Sequence, residues 1–201
     1  MQNCFVQGKD QKVHSLPVNG GMDIVPGINA LYEKVDLVVA TKDWHTADHE
    51  SFASQHEGKN PYEQVELEGG VMQTLWPDHC VQNTLGAEFV KGLQTEGINK
   101  IIYKGNHSHV DSYSGFFDNA RLGKTELDEY LKSQGVTDIY VVGLAADFCV
   151  KFTSLDGAEL KYNTYFVKDL TKAVFPEKLE VSTYQKLKEV GVKIITSSEI
   201  K

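Results

Sequence analysis

The 201-residue sequence predicts an α/β fold: a three-layer, open and mostly parallel sheet with helices on both faces. Short apolar runs recur along the chain, each β-branched and nearly continuous, as strands buried on both faces are. Helical patterns lie between them. Strands that alternate with helices read as βαβ units, wound right-handedly into one sheet.

The first helical pattern covers residues 22–34, and the first apolar run (VDLVVA) follows at 35–40. Residues 41–83 show no clear period, and an aperiodic stretch this long in a compact domain is usually functional. A helix is expected over 84–96, then a strand (KIIY) over 100–103. The helical pattern over 122–134 contains Thr125-Glu126-Leu127-Asp128, close to a capping sequence, and Gly135 supplies its stop. Residues 138–144 (DIYVVGL) read as the next strand, 149–162 as a helix and 165–167 (YFV) as a further strand. The last helix, 177–190, puts Leu179, Tyr184, Leu187 and Val190 on one face and stops at Gly191, before a strand at 192–195.

Hydrophobic residues at 41% and charged residues at 24% exclude disordered and collagen-like classes. The length suits a single domain over 1–201, undivided by repeat or linker. No apolar run approaches the ~20 residues needed to cross a bilayer, and no secretory signal is readable. The expectation is a cytoplasmic, soluble protein with no membrane partner. A formal net charge of −8 argues against a nucleic-acid partner. Three cysteines, Cys4, Cys80 and Cys149, are too few for a disulfide scaffold and suit a reducing compartment. No self-complementary apolar helix face stands out, so the oligomeric state stays open.

Ligands of an open parallel sheet bind beyond the carboxyl ends of its strands. That directs attention to the residues after Ala40, Tyr103 and Leu144. After the first comes Thr41-Lys42-Asp43-Trp44-His45, and in extended chain Asp43 and His45 point to one side. A third ligand, His79 or His49, would complete a site for a borderline divalent cation. Cys80 is read as a small buried hydrophobe in preference to a soft ligand. Lys104 is either a solvated charge or a cation turned into the crevice to stabilise an anion. The aromatics of residues 111–117 (DSYSGFF) suit the wall of a flat ligand and core packing equally well. Cys149 opens a helix, where unpaired N–H groups and the helix dipole favour thiolate. At a strand-to-helix elbow on the ligand side of a sheet it is a candidate nucleophile, and neighbouring N–H groups can form an oxyanion hole.

With these residues placed, the chain resembles the nicotinamidase/pyrazinamidase group of the isochorismatase-like cysteine hydrolases. The resemblance is carried, in order, by Gln2-Asn3 with Phe5, DWHTADHESFASQH (43–56), WPDHCVQN (76–83), KG (104–105), DSYSGFFDN (111–119) and GLAADFCVKFTSLDGAEL (143–160). It implies that Cys149 attacks the carboxamide carbon of nicotinamide, expels ammonia and forms a thioester that water opens to nicotinic acid, in NAD salvage. It also implies an oxyanion hole from the backbone N–H groups of Ala145 and Cys149, a cis Leu144–Ala145 peptide, and Lys104 as the catalytic lysine. One divalent metal is implied on Asp43, His45 and His79, commonly zinc and in some members iron or manganese. His49 matches a residue near that site, a direct ligand in some members. Phe5, Trp76 and Tyr113 match the aromatic walls of the substrate pocket. Two other readings share the fold: hydrolysis of a related small amide or carbamoyl compound, and a non-catalytic protein that keeps the metal and ligand pocket.

The sequence departs from the family's pattern at its start. The family's triad is Asp, Lys and Cys, and its aspartate falls immediately before the position of Met1, at the end of a first, central strand. Both are absent from residues 1–201, and Cys4 stands where the pattern has a second acidic residue. The expectation is that the natural chain extends upstream of Met1, that the sheet of residues 1–201 lacks its first central strand, and that hydrolysis by these residues alone is impaired. Asp147 is near Cys149 in sequence, with its direction left open.

Overall fold

The computed structural model describes residues 1–67 and 69–201. The strands are β1 (Val39–Asp43), β2 (Gln64–Leu67), β3 (Val71–Thr74), β4 (Lys100–Lys104), β5 (Asp138–Leu144), β6 (Asn163–Lys172) and β7 (Lys193–Ile195). The α-helices are α1 (Val25–Leu31), α2 (Leu127–Ser133), α3 (Cys149–Glu159) and α4 (Gln185–Glu189). β1 pairs with β4, β5 with β6 and β6 with β7, all in parallel, while β2 and β3 form an antiparallel hairpin. The parallel α/β architecture expected from the alternating pattern is therefore present.

Side chains along β5 alternate between two faces, as strand geometry requires. Tyr140, Val142 and Leu144 join a core with Val25, Ile28 and Leu31 of α1. Val141 instead packs with Val150 of α3 and Leu187 of α4, and Ile139 with Leu127 and Leu131 of α2. Helices thus cover both faces. Each fully buried side chain of this kind contributes about 1.5–3 kcal/mol. Gly135 and Gly191 end α2 and α4 with φ of 69° and 84°, and the N–H groups of Val136 and Val192 turn back to Leu131 and Leu187. These are the helix stops that the sequence placed there.

Among the described residues the two parallel groups, β1–β4 and β5–β6–β7, are not joined by a strand ladder. β1 and β5 each pair on one side, and Ile139 to Val142 and Val39 to Thr41 are only half-buried. Met1 and Gln2 reach across the carboxyl ends of both strands. The Gln2 side-chain amide donates to the Asp43 carbonyl and accepts the Asp43 N–H, both at 2.8 Å. The Met1 sulfur lies against Gly143.

Several boundaries differ from the sequence reading. Residues 84–96 hold short 3-10 turns and no α-helix. There, Val90 N–H bonds to the Met1 carbonyl, the Glu88 carbonyl accepts from Asn3, and Gly92 has φ of 100°, so the backbone is spent on tertiary partners. The strand expected at 35–40 lies at Val39–Asp43, and that at 165–167 extends over Asn163–Lys172. The aperiodic stretch contains the β2–β3 hairpin, turned at Gly69 and Gly70 with φ of 85° and 79°. α2 starts five residues late because the Asp118 carboxylate accepts the N–H groups of Leu122 and Gly123 in a turn. The final helix opens with a π turn, Leu179–Tyr184. No helix among the described residues is long and apolar enough to cross a membrane.

Candidate active site

Parallel register sets Asp43 at the end of β1 beside Lys104 at the end of β4. The Lys104 ammonium lies 2.7 Å from Asp43 Oδ1, donates to the Ser112 carbonyl at 2.6 Å, and sits 3.5 Å from Cys149 Sγ. Lys104 and Asp43 are 2% and 6% exposed, so of the two sequence readings the crevice-facing lysine is the one observed. Buried charges persist only when paired. Burial alone would raise the Asp43 carboxyl, but Lys104 and His45 overturn that and hold it below its ordinary value. Burial likewise lowers Lys104, and the negative charge of Asp43 and of Cys149 more than reverses it. Lys104 therefore keeps its proton.

Two histidines turn toward Asp43. His45 Nδ1 donates to the Gly105 carbonyl and His79 Nδ1 to the Pro77 carbonyl, each at 2.8 Å. A carbonyl only accepts, so the hydrogen sits on Nδ1 and each Nε2 is left as a lone pair. The ligand atoms of Asp43, His45 and His79 lie within 4.8 Å of one another, all buried. His45 Nε2 is buried with no hydrogen-bond partner, an omission that costs roughly 1–3 kcal/mol unless something fills it. Burial drives His45 down to about 3 and His79 to about 4, so both are neutral, as metal ligands must be. This donor set fits a borderline divalent ion.

His49 is close, with its ring centroid 4.4 Å from that of His45. Its Nδ1, however, accepts the Ser51 N–H, which puts the hydrogen on Nε2 and withdraws that atom as a ligand in this state. His49 also forms a second cluster with His45 and Asp111.

Cys149 is the first residue of α3, and Phe148 ahead of it offers no side-chain cap. Among the described residues neither the Ala145 nor the Cys149 N–H donates to a backbone carbonyl, and the Leu144–Ala145 peptide is cis. The thiolate expected at the helix tip is not favoured. Burial pushes the Cys149 thiol up to about 11, against the pull of Lys104. Asp147 is turned away: its carboxylate accepts the N–H groups of Val174 and Phe175 at 3.0 and 2.8 Å. The Met1 α-amino group is buried among Asp43, Cys149 and Lys104, and that burial lowers it.

Three aromatic rings, of Trp76, Tyr113 and Phe148, pack together at the start of α3. Trp76 meets Phe148 edge-on at 4.8 Å, and Tyr113 meets Phe148 at 5.4 Å. The Tyr113 hydroxyl accepts from Trp76 Nε1 and Gln73 Nε2, both at 3.2 Å. Phe5 stands against His79, ring centroids 5.6 Å apart. Phe148 and Gln73 were not assigned from sequence. Phe148 has a signal in its place before Cys149, whereas Gln73 had only strand alternation to mark it. The cysteine reading also needs correction: Cys4 and Cys80 form a disulfide, with Cα atoms 5.8 Å apart, and only Cys149 is free. Spacing alone could not pair residues 76 apart in the chain.

The Isochorismatase domain family matches residues 1–199. The nicotinamidase of Acinetobacter baylyi is 40% identical over 200 residues, covering 100% of this chain and 91% of its own. A solved nicotinamidase/pyrazinamidase from Acinetobacter baumannii superposes with a TM-score of 0.92 at 39% identity, covering 100% of this chain and 94% of the other. A pyrazinamidase from Pyrococcus horikoshii, solved in complex with zinc, gives 0.75 at 34% identity, covering 98% of this chain and 94% of the other. A cysteine, a lysine and an Asp-His-His cluster at the strand ends of a parallel sheet thus occur in a chain that belongs to the isochorismatase family.

Proposed function

We infer that this chain hydrolyses nicotinamide to nicotinic acid and ammonia, a step of NAD salvage. The observation that carries the reading is the Cys149 thiol at the tip of α3, 3.5 Å from an ammonium that a buried carboxylate fixes in place. In the proposed reaction Cys149 Sγ bonds to the carboxamide carbon, the C–N bond breaks, and ammonia leaves with the thiol's proton. Water then adds to the thioester, the C–S bond breaks, and nicotinic acid departs as the thiol is restored. The N–H groups of Ala145 and Cys149 receive the oxyanion. Lys104 retains its proton, so its role is to stabilise the thiolate, not to act as base. Trp76, Tyr113 and Phe148 wall the ring, with Phe5 on the side of His79.

Asp43, His45 and His79 would hold one divalent ion, with zinc suited to two imidazoles and a carboxylate. When bound, the ion supplies a Lewis-acid anchor for the heterocycle nitrogen. The unpartnered His45 Nε2 supports this assignment. Asp43→Ala and His79→Ala should each abolish stoichiometric zinc in metal analysis, while wild-type content in either variant would remove the ligand set.

The Cys149 proton needs an acceptor, and Asp43 is committed to Lys104. The buried carboxylates whose charge reaches Cys149 are Asp43 and Asp111. A non-catalytic reading is favoured by one observation, that Asp43 already serves Lys104 and Asp147 faces away. No ammonia release, with metal and nicotinamide still bound, would establish it.

A further inference from the structure

Cys4 and Cys80 are 0% and 1% exposed, and each is the sequence neighbour of a residue that forms the site. Cys4 precedes Phe5 and Cys80 follows His79, and the rings of Phe5 and His79 touch. The bond between them ties the first turn of the chain to the segment that delivers a metal-ligand candidate. The ends of that segment are bonded elsewhere: Trp76 pairs with Ser51 and Ala53, Gln82 donates to the His45 and Trp44 carbonyls, and Ser54 Oγ donates to the Asp78 carboxylate. The Cys80 carbonyl accepts the His45 N–H at 3.1 Å, and His45 forms a single bridge to Val81. Cys80 itself sits at φ of 47°, a left-handed conformation that a non-glycine residue keeps only when its surroundings impose it. A cavity of about 460 Å³, lined by Gln11, Lys12, Ser15, Pro77 and His79, also borders Cys80.

We propose that Cys4–Cys80 is a reversible thiol–disulfide modification site that positions His79 and Phe5, so that its reduction loosens metal retention at Asp43, His45 and His79. The metal consequence rests on the proposed metal reading. Reduction by a small dithiol proceeds in two exchanges. One thiolate of the dithiol attacks Cys80 Sγ, the bond to Cys4 breaks, and Cys4 leaves as a thiolate that takes a proton. The second thiol of the reductant then attacks its own sulfur in the mixed disulfide and frees Cys80. Two electrons pass to the protein, and the dithiol leaves as a disulfide. A low-molecular-weight disulfide reverses the sequence. Once reduced, Cys80 is free to leave its left-handed conformation, and His79 moves with it.

The test compares the protein oxidised with glutathione disulfide and reduced with a water-soluble phosphine, whose phosphorus takes the oxygen of water as the two thiols form. Mass spectrometry should show a gain of two hydrogens on reduction. Zinc transfer to a competing chelator should be on the order of tenfold faster from the reduced form, the low end of the effect of removing an outer support of a ligand. Cys4→Ser should release zinc at the reduced rate whatever the treatment. Amide exchange over residues 76–82 should rise on reduction in wild type and be insensitive in Cys4→Ser. Equal zinc release in both states, or a Cys4→Ser protein that still responds, overturns the proposal. If neither form binds zinc, the metal reading fails by itself, and the exchange of residues 76–82 alone then decides: unchanged protection on reduction overturns the thiol site.

Discussion

At the scale of single residues, the site is a set of buried charges whose partners are few. Lys104 is the only described cation bonded to Asp43, and both are almost fully buried. Lys104→Met should therefore destabilise the protein by about 3–5 kcal/mol, because a buried carboxylate loses its counter-charge. Urea unfolding measures this, and a loss under about 1 kcal/mol would mean that water reaches Asp43. Gly105 is a second sensitive point. Its φ is 62°, and a Cβ there would stand 2.5 Å from His45 Cε1 and 2.8 Å from its Nδ1. Gly105→Ala should cost about 1–3 kcal/mol through backbone strain and reduce bound zinc by turning the imidazole. Full zinc content in a folded variant would show that His45 has room to shift. The identities of Asp43, His45 and Cys149 were legible because strand ends mark where ligands bind, and residues two apart share a side, whereas position alone left Lys104 between a solvated and a crevice-facing charge. The charge state of Cys149 was not. It depends on how much protein covers the sulfur, and that cover comes from elements far away in sequence.

At the scale of elements, the parallel strands were legible and the connections were not. A run such as residues 138–144 needs no partner to declare itself, since burial on both faces demands apolar residues throughout. The segment 84–96 has a helix-compatible pattern, yet Met1 and Asn3 claim the backbone groups at Val90 and Glu88. Such long-range competition leaves no local trace. Hydrogen exchange can read the interrupted sheet directly. β6 is paired on both sides, by β5 and β7, whereas β5 and β1 are each paired on one. Amides of β5 and β1 that point to the free edge should exchange much faster than those of Tyr165 to Val167. Uniform protection of β5 in residues 1–201 would mean that its second edge is already covered.

At the scale of the whole molecule, the buried titrating groups set a stability window in pH. His45 and His79 fall from the ordinary 6.5 to about 3 and about 4 on folding, with burial as the main cause. Between those values and 6.5 the unfolded chain binds protons that the folded chain refuses, so stability rises with pH there. It is fully present above about 6.5 and is lost as pH falls, by up to about 1.4 kcal/mol per pH unit for each imidazole. Asp43, held below its ordinary value, acts in the same direction at still lower pH. The alkaline side has the opposite sign. Cys149 is raised by burial from 9.0 to about 11, so the unfolded chain gives up its proton first and stability declines as pH climbs from 9 toward 11. The buried Met1 α-amino group, lowered from 8.0, extends the rise toward pH 8, so urea unfolding of the zinc-free protein should show stability climbing to about pH 8 and falling above about 9. Replacing His79 with Asn should make the acid slope shallower, since one of its contributors is gone. A flat profile from pH 5 to 7 would mean that the histidines already bind protons in the folded chain. They would then be poor ligands for a cation, and the proposed metal site would lose its chemical basis.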